Sequence, residues 1–374
     1  MTEDKEQSSY SPPIEISCSR YFIPWLYEQQ ISIAFTTYQS NRLFLIGLKP
    51  NGRLSAFERL FDRAMGLYAT PERLFMSSRY QLWQFENALE PGKLYKDVYD
   101  KLYVPRIGYT TGDLDVHDIC LVGTSRENED EVKPQNVIFV NTQYSCLATP
   151  SSRYSFTPIW QPPFISKLAP EDRCHLNGLA VEGGKPRYVT AISQSDVIGG
   201  WRERRHEGGC LIDVASNEVV INDLSMPHSP RIYRVPSEDE ANLWLLNSGT
   251  GDFGYGDLKR GSFEPVTLCP GYLRGLTFYD RFAIVGMSKP RDRNFSGLAL
   301  DEKLAAKNGS PFCGLGVIDL KTGDIAHWLQ LEGVITELYD VQVLPGTICP
   351  MALGFMSDEI ARLISIDPKG GTIK

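Results

Sequence analysis

Apolar residues in this chain come in short runs that end in small polar residues, a pattern of strands rather than helices. LFMSS (74–78), VIFVN (137–141), YVTAI (188–192), LWLLN (243–247) and FAIVG (282–286) are each followed by turn formers, as in NTQYS, SQSD and NSGTG. Runs of this length bounded by Asn, Ser, Gly and Pro predict buried β-strands. A second set of segments precedes them: AMGLYA (64–69), VHDICL (116–121), LNGLAV (176–181), HSPRIY (228–233), LRGLTF (273–278) and LYDVQV (338–343). Aligned on Gly66, Asp118, Gly178, Pro230, Gly275 and Asp340, they step by 52, 60, 52, 45 and 65 residues. A period of this size in a strand-rich chain predicts one four-stranded blade per repeat. The fold class expected is therefore all-β, a six-bladed β-propeller.

The segment ISIAFTTYQSNRLFLIGL (31–48) has the second-strand form with no inner strand before it, and LYDVQV is an inner strand with none after it. The two termini are expected to share one blade and close the ring, which removes exposed sheet edges. Hairpin signals at KPNGRL (49–54), DVASNEVV (213–220) and DLKTGDIAHWL (319–329) mark outer strands. KLAPEDR (167–173) and SGLALDEKLAAKNG (296–309) have helical composition but sit inside loops. Residues 1–17 are expected to form a flexible tail and 18–374 a single propeller domain, with ARLISID near the C-terminus open as a further strand.

Composition narrows the function. The net charge is −8, and phosphate backbones attract basic surfaces, so no nucleic-acid partner is expected. The first residues are polar and acidic, without the apolar core of a secretory leader. No apolar run approaches the roughly 18 residues of a membrane span. The eight cysteines are scattered without a CxxC, which points to buried, reduced thiols. Together these predict a cytoplasmic protein with no membrane contact. No GxSxG, Walker, kinase or HExxH pattern occurs.

Three of the five histidines, His117, His175 and His228, lie in or directly before inner strands. Inner strands line the channel of a propeller, so the repeat is expected to gather three imidazoles distant in sequence. Three imidazoles with open positions suit a divalent zinc, iron or manganese ion that polarises a carbonyl or activates water. Asp115, with Asp113 and Asp118, flanks His117, and Glu337 enters the last blade; Asp115 and Glu337 are the candidate proton carriers. Strand alternation puts His175 on the same face as Asn177, and Asp115 on the same face as His117. Arginine recognises carboxylates and phosphates. Arg274 is placed in the catalytic set as an anchor, and Arg231, Arg63, Asn177, Arg153 and Trp201 are expected to bind substrate. Trp201 follows Gly-Gly in a long loop and suits a lid. Arg153, Arg202, Arg204, Arg205, Lys289, Arg291 and Arg293 fall in connections, most of them on the same face. His206 and His327 lie in a charged loop and an outer strand and are expected to play no part.

HLNGLAV (175–181) resembles the HPNGLA-type strand of gluconolactonase- and paraoxonase-like six-bladed propellers. That resemblance implies a calcium contact for Asn177 alone. GLKPNGRLSAFERLFDRAMGL (47–67), RIGYTTGDLDVHD (106–118), EDRCHLNGLA (171–180), LSMPHSPRIY (224–233) and LYDVQVLPG (338–346) resemble a DUF4915-related family of bacterial proteins. This second resemblance runs over almost the whole chain. It implies a propeller-like domain and brings no activity with it.

The expectation is a metal-assisted hydrolase, lyase or isomerase acting on an anionic small molecule or peptide at the channel mouth. The alternative is a non-catalytic propeller that binds a peptide or protein partner. A third arrangement is a histidine–aspartate network that only braces the channel.

Overall fold

Six antiparallel sheets of four strands form the computed structural model, which describes residues 13–123, 136–290 and 297–366. Blade 1 takes its inner strand, Val341–Pro345, from the C-terminal side and its other three, Ile31–Thr37, Arg42–Leu48 and Leu54–Leu60, from the N-terminal side. Phe35 pairs with Val341 and Ile31 with Pro345, so the ring closes inside one blade, as the strand pattern predicted. The inner strands of blades 2 to 6 are Leu67–Ala69, Val116–Leu121, Leu176–Glu182, Pro227–Tyr233 and Tyr272–Tyr279. Each touches the inner strand of the next blade, and blade 1 touches both blade 6 and blade 2.

Two sheets gain a fifth strand that the repeat did not predict. Pro350–Ala352 pairs in parallel with the outer strand Lys101–Thr110 of blade 2. Glu15–Cys18 begins inside the segment expected to be a tail and pairs with the outer strand Asp324–Glu332 of blade 6. Of the remaining tail, residues 1–12 lie outside the described residues. The described part of ARLISID forms no strand; its first residue ends a short 3-10 turn, Asp358–Ala361. Helix Phe22–Gln29 buries Phe22, Trp25 and Leu26 against blades 1 and 6. A second helix, Ala299–Ala306, lies within the long loop of blade 6 whose composition was helical.

The apolar cores lie between blades. One joins Ile138, Val140 and Leu147 of blade 3 to Leu176, Val189 and Ile212 of blade 4; another joins Trp244 and Phe253 of blade 5 to Leu276 and Val285 of blade 6. Burial of such side chains is worth about 1.5–3 kcal/mol each. All eight cysteines are unpaired, and all but Cys18 are buried. Among the described residues no helix is long and apolar enough to cross a membrane.

Around the channel, small and larger residues alternate at the aligned repeat positions. A Cβ on Gly178 would lie 2.4 Å from Pro230 Cδ, and one on Gly275 would lie 2.8 Å from Asp340 Cα. Glycine is required there because the inner strands approach too closely for a side chain. Three of the four remaining junctions are tied by side chains that accept from the next blade: Asp118 from Leu179 N at 3.0 Å, Asp340 from Leu67 N at 2.8 Å and Ser229 from Gly275 N at 3.1 Å; between blades 2 and 3, Ser77 Oγ donates to Val116 O at 3.1 Å.

Candidate active site at the upper channel mouth

The entries to all six inner strands converge on one cavity of about 240 Å³. Met65, Asp115 with His117, Asp172 with His175, Met226, Arg274 and Tyr339 each come from a different blade. Tyr38, Arg63, Trp201 and Arg202 reach it from the connecting loops. The chain turns sharply as it enters these strands. Arg63, Asp115, Asp172, His175 and Met226 all adopt left-handed backbone, with φ of 53°, 53°, 43°, 51° and 48°. Non-glycine residues pay of order 1–3 kcal/mol for this conformation, and such residues cluster where side-chain placement matters.

Two aspartate–histidine dyads face this space. His117 Nε2 lies 3.2 Å from Asp115 Oδ2, and His175 Nδ1 lies 3.0 Å from both oxygens of Asp172. An ionised carboxylate only accepts, so the proton sits on His117 Nε2 and on His175 Nδ1. The lone pairs are left on His117 Nδ1 and His175 Nε2. The rings of His117 and His175 meet edge to face with centroids 4.8 Å apart. Trp201 Nε1 donates to Asp172 Oδ2 at 2.7 Å while its ring lies 4.2 Å from that of His175. Trp201 thus fixes both members of the second dyad, and it is buried at 5% exposure rather than standing open as a lid.

Burial favours neutral imidazoles. It pushes the His117 pKa down, with the charges of His175 and Arg274 adding to burial and Asp115 opposing it. Burial, Arg274 and the other two imidazoles push His228 well below the usual histidine range. Burial works to raise the Asp115 carboxyl, but His117 and Arg63 outweigh it, and Asp115 stays ionised. Arg63 donates to Asp115 and also to Asp113 at 3.1 Å.

His228 lies behind the dyads, its ring stacked 6.3 Å from that of His117. Asn177 Oδ1 accepts from Thr190 at 2.7 Å, which turns its Nδ2 toward His228 Nε2 at 3.4 Å. That contact occupies the His228 Nε2 lone pair and leaves its proton on Nδ1. The three histidines therefore gather as expected, with two lone pairs left among them. Among the described residues no group of three or more His, Cys, Asp or Glu is arranged to hold a metal ion. Asn177 is a buried orienter of His228 and does not line the cavity.

Arg274 closes the other side. Its guanidinium lies 5.4 Å from the Tyr339 ring centre and 5.9 Å from that of Tyr38. Glu337 Oε2 is 3.6 Å from Arg274 Nη1 and accepts from Tyr38 Oη at 2.6 Å. Arg274 Nη1 itself is buried without a hydrogen-bond partner among the described residues, as is His117 Nδ1.

Two expected substrate contacts lie elsewhere. Arg231 sits deeper in the channel, where Nη1 and Nη2 donate to Asp118 at 2.8 and 3.2 Å. It also donates to the carbonyls of Leu276, Leu179 and Pro230 at 3.1, 3.1 and 3.0 Å, and Asp340 is 3.9 Å away. Its donors are spent on the protein, and it forms a strut between the upper cavity and a lower recess of about 310 Å³ lined by Tyr68, Tyr233 and Phe278. Arg153 is exposed, with its guanidinium 5.3 Å from the ring centre of its neighbour Tyr154, and does not line the cavity. Arg291 and Arg293 lie outside the described residues. Sequence reasoning missed Asp172, Tyr38 and Tyr339. The acid three residues before His175 was the one available signal for the first of them.

The model of a domain of unknown function, DUF4915, matches residues 20–353. No curated protein matches the sequence. Among solved structures, one titled as a nidogen/laminin complex is similar with a TM-score of 0.51 and 11% identity, over 84% of this chain and 99% of that one. TolB from Acinetobacter baumannii aligns with a TM-score of 0.40 and 10% identity, over 84% of this chain and 66% of that one. The dihydro-heme d1 dehydrogenase NirN in complex with DHE aligns at 0.39 and 14%, over 80% of this chain and 63% of that one. At 11% identity the likeness to the first of these concerns the fold alone.

Proposed function

The chain belongs to the DUF4915 family, a name that carries no activity, and we propose that it is an enzyme performing acid–base chemistry on a small anionic molecule in the upper cavity. The observation that carries this reading is the pair of aspartate–histidine dyads set 4.8 Å apart, ring to ring, at one cavity beside Arg274. A carboxylate that fixes the tautomer of a neutral imidazole makes its second nitrogen a base. His175 is the acting residue: Asp172 and Trp201 orient it, and its Nε2 is free of protein partners among the described residues. Arg274 anchors the substrate anion: its Nη1 has no hydrogen-bond partner among the described residues, with Glu337 Oε2 3.6 Å away, and gains a charge-assisted hydrogen bond when a carboxylate arrives. The cavity of about 240 Å³ lies just below the roughly 300–1,000 Å³ of drug-sized sites, which favours a small molecule over a peptide. Proton removal beside a carboxylate and water activation for hydrolysis both follow from this arrangement.

The test is deuterium exchange. The protein is incubated in heavy water with a panel of small carboxylates, and loss of carbon-bound protons is followed by NMR. Exchange that disappears in His175→Gln and Asp172→Asn, with the fold intact, supports the reading. Binding without exchange or turnover for every carboxylate that binds would move it to a binding module.

A second reading keeps the expected metal. His117 Nδ1 is buried without a partner, and with His175 Nε2 it supplies two nitrogen ligands, to which a substrate oxygen and water would add. Elemental analysis of untagged protein tests it: about one equivalent of zinc, iron or manganese, lost in His117→Ala and His175→Ala, is the expected result. No metal after adding these ions back sinks it.

A further inference from the structure

The lower recess takes no part in the dyad chemistry, yet it is built as a pocket. It holds about 310 Å³, and the inner strands of all six blades line it. Tyr68, Leu121, Val181, Ile232, Tyr233 and Phe278 border it and are only half-buried, so each leaves apolar surface facing water at one place. A concave apolar lining with few polar groups is the form of a small-molecule site. One wall is rigid and aromatic. The rings of Tyr233 and Phe278, from neighbouring blades, stack with centres 4.4 Å apart and planes 8° apart, and Tyr233 Oη is fixed by donating to Asp280 O at 2.6 Å.

The polar groups select against charge. Arg231 is the one charged side chain in the lining. Its guanidinium is bound to Asp118 at 2.8 and 3.2 Å with Asp340 3.9 Å away, so an entering anion would meet one cation backed by two carboxyl groups. An entering cation would meet the guanidinium. Two neutral groups are left for a ligand: Thr277, whose hydroxyl makes no hydrogen bond among the described residues, and Gln342, whose Nε2 donates to Leu67 O at 3.0 Å and whose Oε1 has no partner among them. The volume of about 310 Å³ stands at the lower end of small-molecule sites and at about twice the roughly 150 Å³ apolar cavity that admits benzene. That suits one or two fused rings.

We infer that the lower recess is a second binding site, for a neutral aromatic molecule of one or two rings that packs against the Tyr233–Phe278 wall and hydrogen-bonds to Thr277 and Gln342. The site is independent of the acid–base reading of the upper cavity.

Ligand-observed NMR titrations of the full chain test this with matched probes: benzamide against benzoate for charge, and phenol against cyclohexanol for aromaticity. Recess binding is the part lost in Thr277→Trp, which fills the space from blade 6, and in Leu121→Trp, which fills it from the opposite blade; thermal melts check both folds. A carboxylate held by Arg274 survives both changes, so the two sites are read separately. In the parent, methyl contacts from bound benzamide to Leu121 and Val181 locate the site without any substitution. Benzamide and phenol are expected to bind with Kd on the order of 0.1–1 mM, in the range for fragments of this size. Each should bind the recess about fivefold more tightly than its matched probe. Equal recess affinity within either pair, binding that persists in the folded tryptophan variants, absence of the methyl contacts, or no binding by any probe overturns the inference.

Discussion

Replacing Arg231 with methionine separates the two roles that this residue could have played. As a strut it holds Asp118, which is 2% exposed, through two hydrogen bonds of 2.8 and 3.2 Å. It also satisfies the carbonyls of Leu276, Leu179 and Pro230. Burial opposes the guanidinium charge, but Asp118 and Asp340 outweigh it and raise the Arg231 pKa. Without the arginine, Asp118 keeps, among the described residues, only its bond from Leu179 N, and two carboxyl groups face each other in the channel without the cation that stood between them. Breaking a buried pair by removing one partner costs about 3–5 kcal/mol. The Arg231 side chain borders the lower recess and is 17% exposed, and methionine refills part of its apolar stem. The lower end, about 3 kcal/mol, is therefore the expected loss in urea unfolding at pH 7. Carboxylate binding by the folded fraction should stay within about twofold, because no Arg231 donor reaches the upper cavity. A loss below about 1 kcal/mol would mean that solvent from the lower recess already carries the Asp118 charge. A loss of binding with stability kept would return Arg231 to the substrate site.

Three further outcomes are expected. His175→Gln should lower any proton-transfer rate by about 10²–10⁴-fold while leaving the anion affinity near that of the parent; equal activity in NMR exchange refutes its role. Burial, together with the charge of Asp118, pushes the Asp340 carboxyl up to about 7 from 3.8, against the pull of Arg231. A raised folded-state pKa adds stability that is full below the unfolded value and lost as pH rises through the folded one, so this group makes stability fall between pH 4 and 7. Asp340→Asn should flatten that fall in urea midpoints taken across the range, and an unchanged slope refutes it. Gly275→Ala should cost about 2–4 kcal/mol, because Gly275 has φ of +76° and a Cβ there would meet Asp340 Cα at 2.8 Å; a thermal melt within 2 °C of the parent would show that the inner ring relaxes.

The blades were legible because each repeat contains a buried strand that ends in small polar residues, and that signal survives without knowledge of the neighbours. Ring closure was legible for the same reason, since LYDVQV lacked a following strand and ISIAFTT lacked a preceding one. The fifth strands were not. Glu15–Cys18 and Pro350–Ala352 have no repeat partner, and they are strands only because an outer strand offers them unpaired backbone groups. Helix Phe22–Gln29 is only eight residues long and starts without a side-chain cap, so its signal is weak; its burial against blades 1 and 6 stabilises it. In the site, the convergence of His117 and His175 could be read from the repeat. Their partners could not all be read, because Tyr38 and Tyr339 depend on how blade 1 is assembled from both ends of the chain. Arg231 was misplaced because depth along the strand, rather than presence in it, decides which end of the channel a side chain serves.

That depth is set by β-bulges. The pairing register shifts between Leu176 and Gly178, between His228 and Arg231, between Arg274 and Leu276, and opposite the inner strand of blade 3 between Phe139 and Asn141. A bulge puts two residues against one, so the two-residue alternation resets at that point. Above the bulges, His175 and Arg274 line the upper cavity, with His228 behind them; below them, Arg231, Leu276 and Leu179 line the lower recess. A regular strand would send Asp118 and His117 to opposite faces but would carry every second residue down one continuous wall. The bulges interrupt that wall at the same level in four blades. The channel is thereby divided into an upper chamber of imidazoles and arginines and a closed charge cluster beneath it. In that cluster one arginine faces one carboxylate and a second carboxyl that burial and the charge of Asp118 push up from the usual carboxylate range. Arg274 Nη1, which has no hydrogen-bond partner among the described residues, is the donor that faces a ligand in the chamber above.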